Sequence, residues 1–362
     1  MTHVEIPLLR YLDEEGRPVA DLPTWLDKAL AHTFYRNMVA VRSYDKKAIA
    51  LQRTGKLGTF PSHLGAEAVG IGVGLAMGEQ DVYVPYYRDM PTLYVRGVGM
   101  EKNLQYWGGD ERGSYFTKRD GTPSEDLPIC VPIATQITHA CGVASAFKLR
   151  GEPRVAVVTI GDGGTSKGDF LEGLNCAGVW HLPMVIIINN NQWAISVPRK
   201  LQSAAPTLAQ KGIGAGVHSL QVDGNDVVAV YDAVKRALER ARTGKGPTLI
   251  EAISYRLGDH TTADDATRYR DAQDVEAAWN KEPVKRLRQF MAERGWWNEE
   301  AEQALLAEAG AEVEQAVARY EALQAQPPEA MLDYHYAELP AELLPQRERI
   351  IAKAIRMEAG HE

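Results

Sequence analysis

The chain has 362 residues, of which 45% are hydrophobic and 24% charged, and its formal net charge is −8. This composition is typical of a globular enzyme, with one large α/β domain and appendages or two ordinary domains. The negative charge argues against nucleic acid as a main partner, and no apolar run approaches the ~18 residues that cross a membrane. The first residues lack a basic start followed by an apolar stretch, so we expect a cytoplasmic protein without a signal peptide.

The first segment, residues 1–29, is charged and interrupted by prolines, and we expect it to form an N-terminal arm. Helical periodicity follows, with apolar residues on one face at Leu26, Leu30, Phe34, Met38 and Val41.

Strand and helix patterns then alternate along the chain. Strands are predicted at 81–88, 155–160, 184–189, 219–224 and 247–256, and helices at 135–149, 167–180 and 227–242. Such alternation predicts an α/β fold with a mostly parallel sheet and helices on both faces. We assign this domain to residues 30–270. Residues 271–362 are assigned to a C-terminal helical region and tail, because 276–324 is amphipathic and rich in alanine and glutamate.

Glycines recur four residues apart at Gly70, Gly74 and Gly78. In a helix, this spacing forms a groove that admits a second helix at close range. The groove fits either tight packing within one subunit or an interface between subunits.

The sequence Gly161-Asp162-Gly163 interrupts the chain between a hydrophobic strand and a helical segment. A Gly-x-Gly turn at this place is also typical of nicotinamide-binding domains. However, the third glycine of that motif is replaced by Ser166, and Asp162 would repel a pyrophosphate unless a cation lay between them.

A cation gives the carboxylate a role. Mg²⁺ prefers oxygen ligands and commonly bridges protein oxygens to substrate phosphates. Asp162 follows one predicted strand, and Asn189, Asn190 and Asn191 follow the next. Because parallel neighbouring strands end at the same edge of a sheet, we expect these side chains to converge there, beside a helix N-terminus that favours phosphate.

Four longer segments extend this pattern. They are GDGGTSKGDFLEGLNCAGVWHLPMVIIINNNQWAIS, VPIATQITHACGVASA, PYYRDMP and YRLGDHTTADDATRYR. Together they resemble the alpha subunits of the thiamine diphosphate-dependent decarboxylating component of 2-oxo acid dehydrogenase complexes. The resemblance runs from about Leu30 to Gln346 and implies a thiamine diphosphate-binding fold. It also implies oxidative decarboxylation of a 2-oxo acid with acyl transfer to a lipoyl group.

The resemblance assigns metal and phosphate ligands residue by residue. Asp162 and Asn191 would bind Mg²⁺ together with the backbone oxygen of Trp193. Tyr87 and Arg88 would contact the diphosphate.

The same resemblance assigns the remaining cofactor contacts. Gly161, Gly163 and Gly164 would form the loop around the diphosphate. Ile133 would press the cofactor into a bent form, and the catalytic residue His260 would lie over its reacting carbon. The family often has a polar residue where this chain has Val131, which puts a monovalent-cation site there in doubt.

The segment containing His260 has no apolar period and many charged residues, and we expect it to be an active-site loop. His260 would donate a proton or hydrogen bond, with a pKa range suited to neutral pH. Arg256 and Arg270 are expected to pair with Asp264 or Asp265. Two other histidines lie in apolar sequence: His139 is expected in the core of a helix, and His63 fits either the edge of the site or a structural role.

The chain has no room for the second, pyrimidine-binding domain that thiamine chemistry needs. We therefore expect a beta subunit to complete the site in an α₂β₂ heterotetramer, with a lipoyl-bearing acyltransferase as the further partner. The likeness favours pyruvate as the small 2-oxo acid substrate; branched-chain 2-oxo acids and acetoin are alternatives. Two alternatives belong to different classes of protein. One is a nicotinamide-dependent oxidoreductase, and the other is a subunit that binds the cofactor but has no activity alone.

Overall fold

The structure is a computed structural model that describes residues 5–118, 120–333, 335–358 and 360. Its strands are Leu8–Leu9 (β1), Val82–Val84 (β2), Ala156–Gly161 (β3), Met184–Asn190 (β4), Trp193–Ala194 (β5), Val197–Pro198 (β6), His218–Asp223 (β7) and Thr248–Ile253 (β8). A six-stranded sheet has the order β1-β7-β8-β4-β3-β2, and all its pairings are parallel. The mostly parallel sheet predicted from the sequence is thus confirmed; β5 and β6 form a separate antiparallel pair.

The helices occupy most of the remaining chain. They are Lys28–Arg53 (α1), Glu67–Ala76 (α2), Met90–Val95 (α3), Met100–Trp107 (α4), Thr135–Arg150 (α5), Gly168–Val179 (α6), Arg199–Gln202 (α7), Gln210–Ile213 (α8), Val227–Arg242 (α9), Ala272–Asn280 (α10), Pro283–Glu293 (α11), Glu299–Glu321 (α12) and Leu344–Glu358 (α13). Helix α1 begins after Leu26 because the Asp27 side chain caps it, accepting a hydrogen bond from the N–H of Leu30 at 2.8 Å.

The sheet separates two hydrophobic clusters, and successive residues of a strand face opposite clusters. In β3, Val157 packs with α1, α2 and α9, whereas Val158 and Ile160 pack with α5 and α6. This is the side-chain alternation of a strand covered on both faces, which explains why the strands are hydrophobic throughout. Helices on both faces were predicted, and the structure confirms them.

The N-terminal arm lies against the sheet. Leu8 and Leu9 pair with Gln221 and Val222 of β7, so the arm adds an edge strand that the sequence did not predict. Asp226 fixes the arm further on, accepting the N–H groups of Tyr11 at 2.7 Å and Leu12 at 2.8 Å.

The C-terminal helices share the core of the α/β unit. Phe290 of α11 and Val313 of α12 belong to the cluster formed by α1 and the sheet. The proposed boundaries at residues 30 and 270 remain predictions. Helix α13 lies in the segment for which only a tail was expected. None of the described helices is both long and apolar enough to span a membrane.

The glycine groove of α2 is filled by helix α3 of the same chain. A Cβ at Gly70 would lie 2.5 Å from Pro91 Cβ, and one at Gly74 would clash with Val95 Cγ2. Gly78 lies beyond the end of α2. The glycines therefore allow close packing within the subunit, and the alternative that this groove receives a helix of another subunit is wrong.

Candidate functional site

A cavity of about 690 Å³ lies at the carboxyl edge of the sheet, where β2, β3 and β4 end. It brings together every residue that the sequence assigned to the site: Tyr87, Arg88, Ile133, Gly161, Asp162, Gly163, Gly164, Asn191, Trp193 and His260. Segments far apart in the chain thus meet in one place, because consecutive parallel strands deliver their ends to the same edge.

Asp162 begins a short 3-10 turn, Asp162–Ser166, immediately after β3. Its side chain is 1% exposed, and its Oδ2 atom has no hydrogen-bond partner. Burial raises the pKa of this carboxyl to about 6, against the opposing effects of the turn's backbone N–H groups and the charges of Arg256 and Arg88. A buried carboxylate oxygen without a donor is costly, and a bound cation would satisfy it.

Asn191 stands beyond the end of the neighbouring strand. Gly161 of β3 lies opposite Asn189 of β4, so Asp162 and Asn191 follow adjacent strand ends. Asn191 is 7% exposed, and its Oδ1 accepts the N–H of Trp193 at 3.1 Å. This local bond folds the chain back so that Trp193 also lines the cavity.

The two preceding asparagines are structural. Asn189 donates from Nδ2 to the Tyr86 hydroxyl at 3.1 Å, and Asn190 donates from Nδ2 to Glu251 Oε1 at 2.7 Å. Both side chains are buried. Of the three asparagines that the sequence places at this strand end, only Asn191 lines the cavity.

Three glycines shape the turn in different ways. A Cβ at Gly164 would lie 2.5 Å from Ile160 Cγ1, and one at Gly163 would lie 2.8 Å from Ala194 Cβ. At Gly161 the nearest atom would be Tyr86 Cε2 at 3.8 Å, so this glycine leaves free space in the cavity. Close packing explains the first two glycines, and room for a ligand explains the third.

Ile133 lies at the mouth of the cavity. Its side chain is 44% exposed, and its Cγ2 atom lies 3.4 Å from the position of a Cβ on Gly164. An apolar side chain held in the open beside the turn is suited to contact an apolar part of a ligand.

Arg88 connects the turn after β2 to the loop that carries His260. Its Nη1 donates to the Ser62 carbonyl at 2.5 Å, and its Nη2 lies 2.8 Å from His260 Nδ1 and 2.6 Å from the His260 carbonyl. The Tyr87 ring packs edge-on to the His260 imidazole, with centroids 6.4 Å apart. The guanidinium is buried yet lines the cavity, a placement suited to an anionic ligand.

His260 is a neutral imidazole near pH 7. Burial, followed by the charges of Arg88 and Arg256, lowers its pKa to about 4, and Asp264 opposes the shift. Because Nδ1 accepts the hydrogen bond from Arg88, the ring proton of the neutral form lies on Nε2. The expectation of a pKa suited to proton donation near neutrality is therefore wrong. The imidazole ring therefore has one N–H donor, at Nε2.

The loop around His260 is held by a different set of contacts from the ion pairs expected. Arg256 donates to the Ile195 carbonyl at 2.9 Å and to the Tyr269 hydroxyl at 2.7 Å. The Tyr269 hydroxyl in turn donates to Asp264, which also accepts the His260 N–H at 2.9 Å.

Arg270 likewise bonds outside the expected pairs. It donates to the Arg256 carbonyl and lies 4.0 Å from Asp259. The expected pairing of Arg256 and Arg270 with Asp264 or Asp265 is thus wrong. A tyrosine lies between Arg256 and Asp264 instead.

The two other histidines lie outside the cavity lining. His63 is buried, with Nε2 3.0 Å from the Val41 carbonyl and Nδ1 3.1 Å from Asp45 Oδ1, which supports the structural alternative. His139 is exposed on α5, so its expected place in the core is wrong.

The sequence did not single out Gln136 or Gln202, which line the same cavity. Gln136 is 2% exposed and donates to the Thr159 carbonyl at 3.0 Å, while its Oε1 atom has no partner. Gln202 Oε1 also lacks one. Nothing in the local sequence pattern distinguishes these amides from surface glutamines.

Backbone conformation around the cavity was equally unpredictable. Ala134, Gln192 and Ile195 have φ values of 71°, 71° and 55°, a region that non-glycine residues rarely occupy. Such residues concentrate at functional sites, where the surrounding structure holds them.

The donor set fits a metal that arrives with phosphates. No three His, Cys, Asp or Glu side chains in the described ranges are placed to hold a metal ion together. The cavity instead offers one unpartnered carboxylate oxygen, a nearby asparagine and the buried guanidinium of Arg88. Mg²⁺ commonly takes one or two protein oxygens and completes its shell with water and substrate phosphate, so this arrangement suits it.

Comparison with known proteins identifies the family. The model of the family described as "Dehydrogenase E1 component" matches residues 35–329, most of the chain. The chain belongs to this family. The curated relatives include proteins named pyruvate dehydrogenase E1 component subunit alpha. That of Mycoplasma genitalium is 39% identical over 95% of this chain and 96% of its own length. The Acholeplasma laidlawii protein is 40% identical over 93% of this chain and 97% of its own length. The Staphylococcus aureus protein is 38% identical over 96% of this chain and 93% of its own length. E1 family membership therefore extends over nearly the full chain.

Proposed function

We propose that this chain is the alpha subunit of a pyruvate dehydrogenase E1 component, which decarboxylates pyruvate oxidatively and transfers the acetyl group to a lipoyl group. Two lines support the proposal. Relatives with this name are 38% to 40% identical over more than nine-tenths of the chain. The cavity at the sheet edge is lined by the residues that the resemblance assigns to cofactor and metal binding.

Thiamine diphosphate is the cofactor, and Mg²⁺ is its proposed metal. Asp162, Asn191 and the backbone oxygen of Trp193 would supply protein ligands to the metal. This assignment depends on the Asp162 Oδ2 atom, which is buried and has no hydrogen-bond partner. Asp162 follows β3, and Asn191 follows the adjacent strand β4. A carboxylate in a nicotinamide site would have no comparable role, which argues against the oxidoreductase alternative.

The chain's own groups would hold the diphosphate. Arg88 and Tyr87 face the cavity from the turn after β2, and the turn containing Gly161, Gly163 and Gly164 keeps side chains out of the same space. A planar guanidinium recognises phosphate oxygens through parallel N–H groups. Ile133 would contact the cofactor's apolar part from the cavity mouth.

Thiamine diphosphate, held by Arg88, Tyr87 and the metal at Asp162, would supply the nucleophilic and electron-accepting chemistry for decarboxylation of a 2-oxo acid. His260 would then act through its Nε2–H, donating a hydrogen bond to negative charge that develops on the substrate oxygen. Arg88 fixes this tautomer by donating to Nδ1. A neutral donor in a partly buried site stabilises such charge without itself losing a proton.

A partner must complete the site. The described residues form one six-stranded parallel sheet followed by helices, and they include no second α/β domain that could bind the pyrimidine. A beta subunit would supply that domain, as in an α₂β₂ heterotetramer, and a lipoyl-bearing acyltransferase would receive the acetyl group. The chain alone would then bind cofactor without turning substrate over.

The test is a substrate panel on the chain purified with its beta subunit. The assay would follow the decarboxylation of pyruvate, the decarboxylation of branched-chain 2-oxo acids and the cleavage of acetoin. Each reaction would be measured with an artificial electron acceptor, with and without added thiamine diphosphate and Mg²⁺. The proposal predicts cofactor-dependent turnover that is fastest with pyruvate. Faster turnover of a branched-chain acid or acetoin would reassign the substrate, and full turnover by the isolated chain would contradict the shared site.

A further inference from the structure

Asp89 follows Arg88 directly and is buried below the cavity, with 6% of its surface exposed. Its Oδ2 atom accepts the N–H of Tyr86 at 2.7 Å and the hydroxyl hydrogen of Thr159. One carboxylate oxygen thus closes the turn after β2 and ties it to the middle of β3. Asp89 does not line the cavity, and the resemblance assigns it no role although it belongs to the segment PYYRDMP.

Thr159 belongs to a larger buried arrangement. Its hydroxyl lies 2.9 Å from that of Tyr83 on β2, and its carbonyl accepts the Gln136 amide at 3.0 Å. The Tyr86 hydroxyl accepts Asn189 Nδ2 at 3.1 Å, which connects the same turn to the end of β4. The turn is therefore fixed to the middle of β3 through Asp89 and to the end of β4 through Tyr86.

We propose that Asp89 is a positioning residue that holds Tyr87 and Arg88 toward the cavity before any phosphate binds. The proposal rests on the proposed function, since it assigns the purpose of the bond network to diphosphate binding. Asp89 touches neither the cavity nor a ligand, so its action passes through the turn.

The physical reason is the cost of ordering. Fixing a long side chain on its backbone when a ligand binds subtracts from the binding free energy, and a turn already held in place avoids part of that loss. Arg88 is the most flexible side chain of the turn, and its backbone is set by the bond that Asp89 makes to Tyr86. Without that bond, the guanidinium would have to be placed at the expense of phosphate affinity.

An uncharged acceptor should serve as well as the carboxylate. Burial raises the pKa of Asp89 to about 7, against hydrogen bonds from Thr159, the Tyr86 N–H and Tyr83. The bonds from the Tyr86 N–H and the Thr159 hydroxyl go to a single oxygen, which the amide oxygen of asparagine can replace. Asp89→Asn is therefore the conservative variant, and Asp89→Ala removes the acceptor.

The experiment measures thiamine diphosphate affinity by calorimetry at fixed Mg²⁺, using the chain assembled with its beta subunit. Asp89→Ala should weaken binding by about tenfold and Asp89→Asn by less than about threefold. Thr159→Val removes one donor to Asp89 and should weaken thiamine diphosphate binding by a factor between those of the two Asp89 variants. This variant keeps the test available if Asp89→Ala fails to fold. Thr248→Val is the matched control, because Thr248 is equally buried on the same sheet but its hydroxyl has no partner.

A double-mutant cycle separates positioning from general destabilisation. If Asp89 acts through Arg88, Asp89→Ala should cost less than about threefold when Arg88 is already alanine. A full tenfold loss in that background, or unchanged affinity in both Asp89→Ala and Thr159→Val, would overturn the proposal. Failure of the unmodified complex to bind thiamine diphosphate would instead contradict the proposed function itself.

Discussion

Two carboxylates beside the same cavity differ in what satisfies them. Asp162, in the turn after β3, has a buried oxygen without any donor, and burial raises its pKa to about 6. Asp264, in the loop around His260, accepts the Tyr269 hydroxyl and the His260 N–H. Burial raises the pKa of Asp264, but these hydrogen bonds, a bond from the Asp265 N–H and the charge of Arg256 together lower it below its usual value.

We infer from this difference that the turn after β3 serves cofactor binding and the loop around His260 serves turnover. The turn after β3 leaves one carboxylate oxygen without a partner, whereas the loop around His260 is held by its own side chains. We therefore expect substitutions in the turn to change cofactor affinity first. Substitutions in the loop should change the rate with cofactor bound.

The largest effect is expected at His260. His260→Ala removes the Nε2–H donor, and we expect turnover with the beta subunit to fall by ~10²-fold or more while thiamine diphosphate affinity stays nearly intact. Steady-state kinetics and calorimetry on the same preparation check both halves. His218→Ala, at an exposed histidine on the amino end of β7, is the control. If His260→Ala keeps more than about half of the wild-type rate, the histidine is structural and another group donates.

The glycines of the turn distinguish packing from ligand space. Gly164→Ala should destabilise the fold by about 1–3 kcal/mol, because the new Cβ meets Ile160. Gly161→Ala meets nothing closer than 3.8 Å, so it should leave the melting temperature unchanged and weaken cofactor binding. Chemical unfolding and calorimetry of the two variants give the comparison. Equal stability loss in both would show that Gly161 serves packing alone.

Tyr269 tests whether the loop acts as a unit. Tyr269→Phe keeps the ring but removes the hydroxyl between Arg256 and Asp264. Loss of this bond is expected to cost about 1 kcal/mol, or roughly fivefold in turnover, with cofactor affinity unchanged. Tyr320→Phe removes a hydroxyl that donates to the Lys56 carbonyl elsewhere and should leave the rate alone. A drop in affinity with no change in rate would assign the loop to binding.

The smallest expected effect is on the pH dependence of folding stability. The pKa of His260 is lowered from 6.5 to about 4, so between these values the unfolded chain takes up a proton that the folded chain does not. This contribution to stability is complete above pH 6.5 and is lost as the pH falls toward 4. In the cofactor-free protein, His260→Gln should therefore flatten part of the decline in melting temperature between about pH 6.5 and 4. Parallel curves for the two proteins would show that His260 titrates normally.

Strand order along the chain made much of this site predictable. Alternating patterns gave helix α9 at residues 227–242, with the bounds the structure has. Asp162 and Asn191 could be placed together because consecutive parallel strands end at one edge. Both inferences depend on local pattern and a general rule of sheet topology.

Contacts between distant segments could not be predicted in this way. Arg88 and His260 meet although 172 positions separate them, and that contact sets the tautomer and helps to lower the pKa of the histidine. The pairing of β1 with β7 depends on two residues, and the positive φ of Ala134 has no sequence signal. Charge pattern alone suggested ion pairs in the loop, where tertiary packing placed a tyrosine between the partners instead.

The proposed cofactor site depends most on Asp162, which we propose binds Mg²⁺ together with the diphosphate. Calorimetry of thiamine diphosphate binding at fixed Mg²⁺ tests it most directly, comparing the wild-type complex with Asp162→Ala. Asp169→Ala is the control, because Asp169 lies on α6 just beyond the turn and outside the cavity lining. If Asp162 is a metal ligand, Asp162→Ala should weaken binding by at least about tenfold, or ~1.4 kcal/mol, and Asp169→Ala should not. Equal affinity in wild-type and Asp162→Ala complexes would contradict the metal assignment.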